Sequence, residues 1–394
     1  MHVGVDMKKK YILWTAGVLI LAVIAFRGIL PPLVDGRMNS RVPHEAYSVS
    51  ATALALHNSL TVADMHADSM LWPRDFTRQH DRGLVDLPRM QQGNMALQVF
   101  GVVTKVPFGF DMTGDADSDQ ITLLTVASGW PTATWSSLLE RTLHQNQRLK
   151  DAVARSDGQL QYVTTAGGLA AVMQQRQAGI KTMAALMGIE GAQALDKSVA
   201  NITVLDKAGV RMIGLAHFFD NFIAGSAHGR EKYGLTDAGK KLLGEIEARE
   251  LIVDLAHAAP KAIDDVLAQA TRPVVVSHGG VQGTCPGERN LSDDHVRRIA
   301  AAGGLIGIGI WHTATCGDDL GATVRAIRYT ADLVGVEHVA LGMDMDGSIQ
   351  GFIDVSEMAA LTQLLMDDGF SEPEIRAIMG ENTLNFLLKW LPQG

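Results

Sequence analysis

Short β-rich apolar runs recur along the chain from about residue 60 to about residue 380, each followed by a helix-like stretch. There are eight: Val62–Met65, Met95–Thr104, Lys181–Ile189, Val210–Ala216, Leu251–Ala256, Pro273–Ser277, Leu305–Ile310 and His338–Met343. Most are continuous rather than alternating, as strands buried on both faces of a parallel sheet are. Between them, Thr165 is placed to cap a helix that stops near Gly179. Ser292 opens another, with Asp293 and Asp294 against its dipole and a stop at Gly303-Gly304. Gly234 to Glu250 repeats the logic. Strand and helix alternating eight times predict an α/β fold, a closed (β/α)8 TIM barrel. No glycine-rich phosphate fingerprint follows the first run, which argues against an open doubly wound sheet. Helices inserted after the second strand are expected within Pro107–Gln159, and terminal helices beyond Ser371.

The N-terminus breaks this pattern. Lys8-Lys9-Lys10 precede a run without charge from Tyr11 to Phe26, followed by Arg27 and a break at Pro31-Pro32. A basic stretch before an apolar run is an export signal. The run is short of the ~20 residues a span requires, but Gly28 to Val34 extends it if Arg27 snorkels. No small-x-small cleavage site follows Phe26, so an uncleaved anchor is the expectation and secretion after signal cleavage the alternative. The lysines stay cytoplasmic, which places the rest across a bacterial inner membrane in the periplasm. The expected division is residues 1–34 as basic tail and anchor, 35–60 as polar linker and lead-in helix, and 61–394 as the barrel.

The chain has 394 residues, 47% of them hydrophobic, enough for a large core. A net charge of -9 without a long basic run outside the N-terminus excludes nucleic acid as a partner. Cys285 and Cys316 are too few for a thiolate-rich zinc site. In an exported chain, a lone pair this close in sequence is expected as a disulfide.

Chemistry-bearing residues stand where each strand ends. Asp64-Met65-His66-Ala67-Asp68 closes the first, and Glu190 follows the third. His217, His257 and His278 follow the fourth, fifth and sixth, and Asp344 ends the eighth. In a barrel these points converge on one mouth. Imidazoles and carboxylates without thiolates suit zinc, and this many donors exceed what one catalytic ion uses, so two ions sharing Glu190 are expected. His2, His44, His57, His80, His144, His295 and His338 have no such placement and read as structural or solvated. His228 and His312, in mouth loops, are undecided. Asn221 and Gly225-Ser226-Ala227 are candidates for the pocket lining.

With these residues the chain resembles the membrane (renal) dipeptidases of the amidohydrolase superfamily. The resemblance is carried by Asp64–Asp68, Val85-Asp86-Leu87-Pro88-Arg89-Met90, Gly188-Ile189-Glu190-Gly191, Ile252–His257, Val276-Ser277-His278, Glu288-Arg289-Asn290-Leu291 and Leu341–Gly347, in the family's order across roughly residues 60–385. It implies a zinc-dependent metallo-dipeptidase that cuts dipeptides, L-Xaa-D-Xaa among them, by a hydroxide bridging two Zn2+. His66, Asp68 and Glu190 would hold one ion; Glu190, His257 and His278 the other. His217 would stabilise the oxyanion and bind substrate, Arg289 would clamp the substrate carboxylate, and Asp344 would carry the proton. Taken alone, Arg289 reads as a surface residue after a turn, Asp344 and Asp346 as loop caps, and His217 as a core histidine.

The N-terminal anchor, the loop Trp311–Cys316 and the insertion near Pro107–Trp130 depart from the mammalian members. A related amidohydrolase acting on N-acyl amino acids or β-lactams is therefore the alternative. The expected partners are the dipeptide, the membrane through the N-terminal segment, and a second copy of the chain in a homodimer.

Overall fold

The computed structural model describes residues 3–110 and 118–394; His2 and part of the Pro107–Trp130 insertion lie outside the described residues. Eight parallel strands form the barrel: β1 (Val62–Ala67), β2 (Met95–Phe100), β3 (Met183–Ile189), β4 (Val210–Gly214), β5 (Ile252–Asp254), β6 (Val275–Val276), β7 (Leu305–Ile308) and β8 (Val339–Leu341). Each pairs with the next, and β8 closes on β1 at Leu341 opposite Asp64. All eight fall within or against the runs expected from the sequence.

The continuous apolar character has a direct cause. Along β3, Ala184 and Leu186 join one hydrophobic cluster with Met65, Leu97, Met212, Ile252, Val275, Leu305 and Ala340, to which every barrel strand contributes. Their neighbours Ala185, Met187 and Ile189 pack in a second cluster with the surrounding helices. Both faces are dry, so both must be apolar. The C-terminal helix Asn382–Trp390 adds Leu384, Phe386 and Leu387 to the first cluster. Thr165 and Ser292 cap their helices as expected, each accepting from the backbone N–H three residues on. The third helix starts later than Gly234, at Asp237, because Thr236 is its cap.

Two features differ from the expectation. A short strand, Leu160–Tyr162, pairs with the first half of β3, where β4 does not reach. Three residues, one buried and two half-buried, show no usable periodicity, so the sequence did not mark it. The N-terminal helix also runs from Val3 to Met38, straight through Pro31-Pro32. Prolines in a helix interior normally break or kink it, but tertiary contacts hold the turns beyond them. Buried Asp35 pairs with Arg74 Nε (2.9 Å) and Arg82 Nε (3.2 Å), and accepts from Asn39 Nδ2. The following Ser40–Arg41 pairs in parallel with Gln350–Gly351, so the first part of the stretch read as linker is bound to the barrel. Further back, the helix is long and apolar enough to cross a membrane. Tyr11, Ile12, Leu13 and Trp14 are about two-thirds exposed, with no protein over them.

Candidate active site

The barrel mouth gathers side chains from strands far apart in sequence. Glu190 Oε1 lies 2.9 Å from His257 Nε2, 3.2 Å from His278 Nε2 and 3.7 Å from His66 Nε2. Its other oxygen is 3.2 Å from His217 Nε2. His66 Nε2 is also 3.3 Å from Asp68 Oδ1 and 3.9 Å from Asp344 Oδ1. Every one of these residues is buried. Arg289, half-buried, lines the same cavity of about 610 Å³ with Asp68, Glu190, His217, His257 and Asp344.

Local structure explains how the donors are aimed. Ser277 Oγ donates to Asp254 Oδ2 (2.5 Å), so it can accept from His278 Nδ1 (2.9 Å). That fixes the His278 tautomer and leaves Nε2 as a lone pair facing Glu190. His228 Nε2 faces His257 Nδ1 at 3.0 Å and holds that ring in place. Gly101 leaves room for the donors at the end of the first strand, since a Cβ there would sit 2.5 Å from both His66 Cε1 and Asp68 Oδ1. His257 (φ 62°) and Asp344 (φ 56°) hold left-handed backbone where their strands end, a strain that clusters at functional sites.

The donor set fits a cation. His257 Nε2 and His278 Nε2 are 2.9 Å apart, with each Nδ1 engaged elsewhere. The His278 Nε2 lone pair therefore faces a carboxylate oxygen with no proton between them. Buried His66 Nε2 and Asp68 Oδ1 face each other at 3.3 Å, yet neither makes a well-directed hydrogen bond among the described residues, a cost that a bound cation removes. Burial, followed by the charge of Arg289 or a neighbouring histidine, holds His217, His257 and His278 well below the usual imidazole range. They are neutral at pH 7, the state in which an imidazole can bind a cation. Burial opposes charge on His66 too, but Asp68, Glu190 and Asp344 outweigh it and raise its pKa to about 10. Positive charge is wanted at that point. Among the described residues, three sets at the mouth can hold an ion: His66 with Glu190 and His278, Glu190 with His217 and His257, and His66 with Asp68 and Asp344; a fourth, Asp264 with Asp294 and His295, is partly exposed and away from the mouth.

These groupings differ in part from the expected ligand sets. Glu190 belongs to two of them, as a shared ligand would. His217 stands among the donors instead of apart from them, and its Nδ1 has no hydrogen-bond partner among the described residues. Asp344 is beside His66, and burial pushes its carboxyl up from the ordinary range. Arg289 Nη2 donates to the His278 carbonyl (3.0 Å), and among the described residues no carboxylate pairs with its guanidinium.

Other candidates resolve simply. Asn221 braces its own loop, bonding Leu215 O, Ile223 N and Ala224 N. Ser226 braces the His217 carbonyl and the His228 N–H, and neither Asn221 nor residues 225–227 line the cavity. His312 pairs with Asp318 at the exposed rim. His57 is a satisfied core residue between Thr362 and Gly93. Asp254 and Ser277 lay inside recognised motifs, but only their spatial contact reveals their part in orienting His278.

The expected disulfide joins Cys285 to Cys316. It ties the turn before Arg289 to the turn Trp311–Cys316 at the cavity edge. A loop of 31 residues closed this way stabilises the fold by about 3–4 kcal/mol in the chain-entropy picture. Replacing both cysteines by serine is expected to lower the melting temperature and raise KM more than it lowers kcat, measured by calorimetry and steady-state kinetics. An unchanged KM would mean the bridge does not hold Arg289 in place.

The profile of the membrane dipeptidases, peptidase family M19, matches residues 50–389. The chain belongs to the membrane dipeptidase family. Dipeptidase tcpJ of Claviceps purpurea is 28% identical over 314 residues, covering 77% of this chain and 69% of that protein. Dipeptidase aclJ of Aspergillus oryzae is 26% identical over 348 residues, covering 83% and 77%. A metallopeptidase from Rhodobacter sphaeroides, solved with a phosphinate mimic of the dipeptide L-Ala-D-Ala, superposes with a TM-score of 0.66 at 23% identity. It covers 84% of this chain and 99% of its own. As a family member the protein is a metal-dependent hydrolase on a TIM barrel, and dipeptide hydrolysis is the activity its relatives are named for.

Proposed function

We propose that this membrane dipeptidase works with two zinc ions, held by His66, Asp68 and Glu190 and by Glu190, His257 and His278. The observation that carries the reading is the convergence of three imidazole nitrogens within 3.7 Å of one oxygen of Glu190. When bound, such an ion pair makes water nucleophilic at neutral pH and polarises the carbonyl.

The chain's own residues do the rest. Arg289, which pairs with no carboxylate among the described residues, binds the C-terminal carboxylate of the dipeptide. His217 donates to the carbonyl oxygen as negative charge develops there. Water adds to the carbonyl carbon and its proton passes to the Asp344 carboxylate. Asp344 returns that proton to the leaving nitrogen as the C–N bond breaks. The ligand of the Rhodobacter sphaeroides structure supports acceptance of a D-residue at the C-terminal position. The apolar helix behind Lys8–Lys10 is long enough to cross a membrane, and the lack of a small-x-small site after Phe26 favours an uncleaved inner-membrane anchor with the barrel in the periplasm.

The test is a panel of L,L and L,D dipeptides, free and C-terminally amidated, with the zinc-loaded full chain in detergent. Free dipeptides are expected to turn over, and amidation to raise KM at least about tenfold, the scale of one lost charge-assisted bond. Arg289→Ala is expected to abolish that preference. Equal hydrolysis of free and amidated forms would remove the carboxylate-clamp role. Turnover of N-acyl amino acids or β-lactams but of no dipeptide would replace this reading with a related amidohydrolase.

A further inference from the structure

The last turns of the N-terminal helix present two faces to the folded domain. Pro31, Asp35 and Asn39, four residues apart, are buried. Leu30, Val34 and Met38, also four apart, line the same cavity as Glu190, His217 and Asp344. Val34 and Met38 pack on an apolar cluster of Leu71, Trp72, Val103, Val106, Ile121 and Trp130 that is separate from the two barrel cores. Phe218 packs on that cluster and stands 4.2 Å, ring to ring, from His217. The apolar lining therefore reaches the chemical groups without interruption.

The helix end is also clamped to the loop that carries Asp344. Arg74 joins Asp35 to Asp346, 2.8 Å from Asp346 Oδ2. Asp346 accepts from Ser69 Oγ and from Leu84 N, and Asn39 Oδ1 accepts from Ser348 N. These contacts fix where Leu30, Val34 and Met38 stand relative to the site.

We propose that the membrane-side helix is a wall of the substrate pocket as well as a tether, and that this wall selects dipeptides bearing a large apolar side chain. The proposal rests on the dipeptidase reading. A cavity of about 610 Å³ has room beyond two methyl side chains, since pockets of ~300–1,000 Å³ enclose drug-sized ligands. The free carboxylate and the scissile amide engage the polar residues, which leaves a side chain for the apolar part. It follows that the mature enzyme keeps the chain from Leu30 onward.

The experiment compares kcat/KM for Leu-Ala, Ala-Leu and Ala-Ala with the zinc-loaded full chain in detergent. The better leucine dipeptide is expected to exceed Ala-Ala by about 10- to 100-fold, the worth of burying one such side chain. Val34→Trp, which fills the space, is expected to cut that ratio at least about tenfold. The ratio is internal to one preparation, so loss of folded protein cancels. Leu30→Trp, at the more exposed end of the wall, serves if Val34→Trp does not accumulate. A wild-type ratio near one, or a ratio untouched by both variants, overturns the proposal. Tighter competition by N-decanoyl-Ala-Ala than by Leu-Ala gives the cavity to an acyl chain and overturns it equally. No hydrolysis by wild type of any of the three dipeptides, in either L,L or L,D form, defeats the dipeptidase reading itself.

Discussion

Glu190→Gln is expected to reduce turnover on the order of a thousandfold or more and to lower bound zinc together with it. Loss of a residue that merely orients a ligand costs ~10–100-fold in metal affinity or activity. Glu190 is more central than that, with four imidazoles around its two oxygens. Glutamine keeps the shape and removes the charge that two cations would share. The same change has an opposite effect on the metal-free protein. Burial, and then the like charge of Asp68, push the Glu190 carboxyl well above its usual range. Neutral glutamine is therefore expected to raise the melting temperature in chelator, while zinc adds less stability than it does to wild type. Metal analysis and paired melts check both halves. A variant that keeps two equivalents of zinc would remove Glu190 from the shared position.

Asp344→Asn is the second large effect. We expect kcat to fall ~10²–10⁴-fold, the usual worth of a positioned proton carrier, with KM and zinc content little changed. The substitution is chosen for the backbone: Asp344 holds φ 56°, a region that asparagine tolerates as well as aspartate does. Alanine would confuse lost chemistry with strain. Asp344 also stands in one ion-holding set with His66 and Asp68, and this gives the prediction its sharp edge. If zinc leaves Asp344→Asn along with activity, Asp344 acts as a ligand and the proton role falls.

Most of the barrel could be read because its strands are dry on both faces, which writes them as continuous apolar runs such as Met183–Ile189. The site residues could be read because they stand just beyond those runs, where a barrel directs strand ends to one mouth. His228 could not be assigned. A histidine in a loop carries no mark of the ring it faces, and only the 3.0 Å approach to His257 Nδ1 shows what it does. Leu160–Tyr162 was too short to show a period. The helix through Pro31-Pro32 went against local propensity because ion pairs with Arg74 and Arg82, distant in sequence, hold Asp35 in place.

The order and types of residues alone were enough to determine an α/β barrel, an apolar N-terminal segment, and a set of nitrogen and oxygen donors without sulfur. Those properties are local: periodicity, burial on two faces, and the chemistry of single side chains. Tertiary structure decided that Glu190 sits amid four histidines, that His217 joins the donors, and that the membrane-side helix borders the cavity. Such distances depend on strand register and packing between residues as far apart as His66 and Asp344, and nothing within a short window of sequence encodes them.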